Sequence, residues 1–270
     1  MDDQQRLAAY VEVWKQAVDD LLTLLESLPE EDWSRPTDLP GWDVRAVASH
    51  TAHLESILAG APEETADVGE PPHVTGPMGL YTEIGVVNRR DRTGADLVAE
   101  IRDATERRYA ALRADPPTDA TGLPGTVFGG VPWNWETLLR NRPLDVWMHE
   151  QDVRRATGRP GGMDSPAARH TADYLAEALG YVLVKRVGAE PGTTVVLEVE
   201  GSEPVTWTVT PTGRGERVLD LVHPPSATLR LDRESFICLA GGRRAAPGTV
   251  EIDGDTDLGQ RVVAALATTP

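Results

Sequence analysis

The chain has 270 residues, of which 40% are hydrophobic, enough for one large domain or two modest ones. Its net charge is −17, with 43 Asp and Glu against 26 Lys and Arg, so no basic face is available for phosphates or an anionic bilayer. That balance excludes nucleic acid and membrane surfaces as partners. The single cysteine, Cys238, rules out an intrachain disulfide. The opening MDDQQRLAAYVEVW lacks the basic and apolar stretches of a signal peptide, and no run of roughly 18 apolar residues occurs, so a cytoplasmic protein is expected.

The first half reads as helices. Leu7, Tyr10, Val11, Trp14, Val18, Leu21, Leu22 and Leu25 recur at helical spacing, and Pro29 closes that run. The Pro-rich connector DWSRPTDLPGW leads to a second helix from about Trp42 to Leu58. Residues 60–80 read as an acidic loop rich in Pro and Gly. Thr93 and Asp96 fit a capping box that opens a third helix, with Leu97, Ile101, Ala104 and Leu112 on its buried side. After a second loop, Asp115 to Val131, a fourth helix spans roughly Asn134 to Ala156. Four long helices predict a four-helix bundle over residues 1–157.

The segment GRPGGMDS, 158–165, marks a boundary. One helix is expected over about 166–188. Then the period changes: TTVVLEVEG, PVTWTVTP, ERVLDLV and ATLRLD alternate and are rich in Val and Thr, which is strand composition. RESFICLAGG reads as a helix, GTVEIDGD as a strand and LGQRVVAALA as a final helix. Residues 165–270 are therefore expected to form a smaller α+β domain with a mostly antiparallel sheet.

The chemistry concentrates on two helices. His50, in ASHTAHLE, shares an apolar stripe with Val47, Leu54 and Ile57. A buried imidazole needs partners for its nitrogens. On the fourth helix Arg142, Asp145, His149 and Asp152 follow spacings of 3, 4 and 3, a polar line framed by Leu138, Leu139, Val146 and Val153. Asp145 and His149, four residues apart, can reach one cation, and His50 from a neighbouring helix completes two histidines and a carboxylate. That donor set suits Zn²⁺ with an open position, and Fe²⁺ or Ni²⁺ less well. A plain helix ion pair is the alternative for Asp145 and His149. His53 reads first as a helix-end residue, with a fourth ligand or a replacement for His50 as the alternative. Cys238, flanked by Phe236, Ile237 and Leu239, reads as an inert buried thiol. Trp133 and Trp135 line a pocket mouth or pack on the fourth helix.

PTDLPGWDVRAVASHTAHL and PLDVWMHEQDVRRATGRP resemble the two signatures of the mycothiol-dependent maleylpyruvate isomerase-like proteins, a branch of the DinB-like metalloproteins. The second half resembles that family's C-terminal domain, which is related to sterol carrier protein 2. The resemblance implies that His50, Asp145 and His149 are the metal ligands, although the founding isomerase commonly has glutamate where this chain has Asp145. It implies a metal-dependent enzyme, a thiol S-transferase or cis-trans isomerase. Mycothiol, the low-molecular-weight thiol, would be held by the metal as a thiolate and attack a small electrophile. Arg142 and Asp152 would orient the ligands, and Arg89, Arg90 and Arg142 are the residues expected to bind the thiol or an anionic substrate. Two rivals stand beside this reading. One is a hydrolase using metal-activated water, with Glu55 or Glu150 as the base. The other is a non-catalytic small-molecule binder.

Overall fold

The computed structural model describes residues 1–269. They divide into two compact units, Met1–Gly162 and a second beginning at Met163. No helix among the described residues is long and apolar enough to cross a membrane.

The first unit is helical. Helix α1 (Asp3–Glu26) is opened by Asp2, whose carboxylate accepts from Gln5 N at 2.8 Å while the Gln5 side chain returns the bond. Its buried side is the predicted stripe from Leu7 through Trp14 to Leu25. Helix α2 (Val44–Leu58) is capped by Asp43 and buried all round from Ala46 to Ile57, which makes it the central rod. Helix α3 (Gly76–Arg89) occupies part of the segment expected to be a loop, and this corrects the sequence reading. Its buried side is Glu83, Gly85 and Arg89, not an apolar stripe, so hydrophobic periodicity does not reveal it. Helix α4 (Gly94–Ala114) starts at the predicted box of Thr93 and Asp96. Helix α5 (Trp135–Thr157) is capped by Asn134 and stops at Gly158, whose φ of 65° is the left-handed turn glycine supplies. Helices α1, α2, α4 and α5 are the four predicted rods, and α3 is added across α2.

In the second unit the single helix expected over 166–188 is broken. It forms α6 (Pro166–Ala176), the short α7 (Leu179–Tyr181) and a π-helical turn over Val182–Val187. At Gly180 an added Cβ would come within 2.4 Å of the Trp207 ring, so the sheet packs closely against this break. Strands β1 (Thr194–Val199), β2 (Val205–Val209), β3 (Gly215–Val218), β4 (Ala227–Leu231) and β5 (Glu251–Gly254) form one sheet in the order β3-β2-β1-β4-β5. Only the β1–β4 pair is parallel, since β2 and β3 fold off one side of β1 and the chain crosses back to the other. Helices α8 (Arg233–Ala240) and α9 (Thr256–Ala265) follow β4 and β5.

Candidate metal centre

Three side chains from α2 and α5 converge. His50, Asp145 and His149 each offer a ligand atom, and these atoms lie within 4.8 Å of one another. His50 Nε2 is 3.6 Å from Asp145 Oδ2, and His149 Nε2 is 3.8 Å from Asp145 Oδ1. The imidazoles meet edge to face, 4.8 Å between ring centres. Both histidines are buried, while the Asp145 side chain keeps 21% of its exposure, so the cluster opens to solvent on the carboxylate side.

The protonation states suit a cation. Burial lowers His50 to about 4 despite the pull of Asp145, so its imidazole is neutral at neutral pH. Burial would raise Asp145, but the Arg142 guanidinium and the two imidazoles, His50 and His149, together outweigh it and hold the carboxyl well below its ordinary range. Neutral imidazole and ionised carboxylate are the forms a metal requires. Neither nitrogen of His50, nor Oδ2 of Asp145, has a hydrogen-bond partner among the described residues, although all three are buried. Buried polar atoms are normally satisfied, and a shared divalent ion would satisfy these.

The cluster has support from its neighbours. Nδ1 of His149 faces Asp152 Oδ2 at 3.2 Å; a proton there donates to the carboxylate and leaves Nε2 free to ligate. Asp152 is fixed by Arg155 Nη2 at 2.7 Å, and Arg155 donates through Nε to Asp38 at 2.8 Å. The Trp42 indole lies 5.0 Å from the His50 ring and 6.1 Å from that of His149. Its Nε1 donates to Glu83 of α3 at 2.8 Å, and His73 meets the same oxygen at 3.2 Å. The Gly41 turn just before Trp42 admits no Cβ: φ is +80°, and the His73 ring would be 2.2 Å away.

Beneath Asp145 lies an ionic core that sequence reading missed. Glu55, fully buried, accepts from Arg142 Nε and Nη2 at 3.0 and 2.8 Å, from Arg108 Nη1 at 3.0 Å and from Trp14 Nε1 at 3.0 Å. The remaining arm of Arg142, Nη1, stands 3.0 Å from Asp145 Oδ2, near enough for an ion pair but not aligned as a hydrogen bond. The one sequence signal was that Glu55 is the lone acid in a helix buried all round.

Other expected residues lie elsewhere. His53 is buried but turned to α3, where it packs on Gly85 and on the Tyr81 ring at 5.3 Å, and it is not part of the cluster. Arg89 is buried and engaged by Glu64 and Glu100, both at 2.6 Å. Arg90 is exposed and lines a hollow of about 290 Å³ with Gly41, Ser49, His73 and Glu83. Glu150 is buried on Arg154 at 2.7 Å. Trp133 and Trp135 pack against Leu54, Ile57, Phe128 and Leu138.

Fold and site together define a helical unit that carries a cluster of two histidines and a carboxylate able to hold a metal, followed by a separate α+β unit. Family models match both: the mycothiol maleylpyruvate isomerase N-terminal domain over residues 14–154 and the C-terminal domain of the same family over 169–261. The chain belongs to the mycothiol maleylpyruvate isomerase family. An uncharacterized protein of Mycobacterium tuberculosis, present in two strains, is 25% identical over 208 residues, 74% of this chain and 76% of that protein. The crystal structure of the mycothiol-dependent maleylpyruvate isomerase superimposes with a TM-score of 0.55 at 17% identity, covering 94% of this chain and 96% of that one. A histidine-to-alanine mutant of that isomerase gives 0.52 with the same coverage. At this identity the likeness is one of fold.

Proposed function

We propose that this protein is a divalent-metal-dependent enzyme that uses mycothiol as a thiol co-substrate on a small electrophile, by cis-trans isomerisation or S-transfer. The observation that carries the reading is the convergence of two buried imidazoles and one carboxylate, with orphaned ligand atoms, in a chain of this family. His50, Asp145 and His149 would hold the metal, with Zn²⁺ the first candidate for two nitrogens and an oxygen. When bound, such a cation lowers the pKa of a coordinated thiol and fixes its position.

The chain's own residues do the rest. Asp152 holds His149 in the ligating tautomer, and Arg142 fixes the Asp145 carboxylate. Trp42 forms an aromatic wall beside both imidazoles and keeps bulk water from that side. The nucleophile must come from the co-substrate, because the only cysteine, Cys238, is fully buried in α8. Addition of the thiol sulfur to an activated alkene turns a double bond into a single one; rotation and loss of the thiol give the isomer, and retention gives the adduct. The hydrolytic alternative needs a free carboxylate as base. Glu55 and Glu150 are each buried in ion pairs with arginine, which favours the thiol chemistry.

Metal analysis of protein purified without added metal, followed by assay with mycothiol and maleylpyruvate, tests the proposal. About one divalent ion per chain and thiol-dependent turnover are expected, both lost in His149→Ala. Metal-free protein that takes up no Zn²⁺, or turnover unchanged without thiol, overturns it.

A further inference from the structure

We propose that Glu55 is a positioning residue for the metal centre, acting through Arg142 on Asp145, and that Arg108 opposes it. This rests on the metal-dependent reading above. Glu55 collects donors from each of the other three principal rods: Trp14 of α1, Arg108 of α4 and Arg142 of α5. All four residues are at most 5% exposed.

Two consequences follow from this geometry. His50 shares α2 with Glu55, and Asp145 and His149 share α5 with Arg142. The paired bonds from Arg142 Nε and Nη2 to Glu55 therefore tie together the two helices that carry the ligands. A guanidinium is a rigid planar fork. With one edge fixed on Glu55, its Nη1 is fixed too, 3.0 Å from Asp145 Oδ2. Asp145 Oδ1 is left turned toward His149, 3.8 Å from Nε2.

The second consequence is one of charge. Two carboxylates, Glu55 and Asp145, are matched by two guanidiniums, Arg108 and Arg142; all but the partly exposed Asp145 lie in a dry interior where charges act strongly. Neutralising Glu55 leaves an excess positive charge beneath the ligands and gives Arg142 a single partner, Asp145. Both effects oppose a bound cation. Removing the Arg108 charge does the reverse: Glu55 then balances Arg142 alone, and Asp145 is freer to ligate. A purely architectural role cannot move metal affinity in opposite directions.

The test is Zn²⁺ affinity by competition with a chelating dye, and the visible spectrum of the Co²⁺-substituted protein, for wild type, Glu55→Gln, Arg108→Gln and Leu21→Ala. Leu21 is a fully buried α1 core residue outside the network and controls for lost packing. Glu55→Gln is expected to weaken Zn²⁺ roughly ten- to hundredfold, the usual effect of removing an outer partner of a ligand, and to shift the Co²⁺ bands. Arg108→Gln is expected to tighten Zn²⁺, and Leu21→Ala to leave affinity unchanged. Should Glu55→Gln not fold, the direction of the Arg108→Gln change decides. Wild-type affinity in Glu55→Gln, a change of the same sign in both charge variants, or an equal loss in Leu21→Ala overturns the inference while leaving the metal site intact. Absence of Zn²⁺ binding by the wild type overturns the proposed function itself, and the inference with it.

Discussion

Asp152 Oδ2 stands 3.2 Å from Nδ1 of His149, and the other oxygen of the same carboxylate is held by Arg155. The carboxylate is fully buried, and it sets the tautomer and ring angle of the imidazole. Asp152→Ala removes that acceptor and frees the ring to carry its proton on the ligating nitrogen. Zn²⁺ affinity should fall roughly ten- to hundredfold, measured by chelator competition. Undiminished affinity would show that His149 needs no such partner.

Glu55 makes the acid limb of stability specific. Burial would raise its pKa, but the charges of Arg142 and Arg108 outweigh it and hold the carboxyl below its ordinary 4.5. A folded-state value below the unfolded one gives stability that is present above pH 4.5 and lost as pH falls through the folded value. In metal-free protein, Glu55→Gln should cost about 3–5 kcal/mol near pH 7, as breaking a buried ion pair does. The gap to wild type should narrow below pH 4.5. Urea unfolding over a pH series measures it, and a gap independent of pH would refute the assignment.

What sequence reveals here depends on which side of a helix is apolar. The stripes of α1, α2, α4 and α5 are hydrophobic, and each rod was legible. Asp145 and His149 were legible because one turn of helix brings them together, and His50 in the stripe of α2 joins them in the cluster. Helix α3 was hidden because it buries a glutamate, a glycine and an arginine. Each of the three answers a tertiary partner: Trp42 and His73 for Glu83, His53 for Gly85, and Glu64 with Glu100 for Arg89. Glu55 was hidden for the same reason, since its partners come from three other helices. The break after α6 lies where Gly180 meets the Trp207 ring, a contact of distant residues that no local pattern encodes.

Helix α3 also gives a paired prediction from its glycines. At Gly85 an added Cβ would lie 2.3 Å from His53 Cβ, an atom fixed to the α2 backbone, so the helices must move apart. At Gly79 the nearest atom is 3.8 Å away and the backbone is helical, so alanine fits and reduces the entropy lost on folding. Gly85→Ala should destabilise by about 1–3 kcal/mol, and Gly79→Ala should stabilise by roughly 0.5–1 kcal/mol. Equilibrium denaturation of both variants checks the pair. Equal effects would mean that α3 does not press on His53.

Trp42 offers an optical report of the same centre. Its indole lies 5.0 and 6.1 Å from the two imidazoles, and its orientation is fixed by the bond from Nε1 to Glu83. Co²⁺ held between those imidazoles would be within a few ångströms of the indole and would quench its emission. Trp147, one of the two tryptophans on α5, donates its Nε1 to the Gly162 carbonyl instead. Titrating metal-free protein with Co²⁺ should therefore quench part of the tryptophan fluorescence and saturate at one equivalent. Trp42→Phe should remove that quenching while Co²⁺ still binds, as its absorption spectrum would show. Glu83→Gln keeps an acceptor for the indole and should retain most of the effect. Glu83→Ala releases the ring and should weaken it. Full quenching in Trp42→Phe would place the cation beside some other tryptophan, and the cluster of His50, Asp145 and His149 would lose its claim to it.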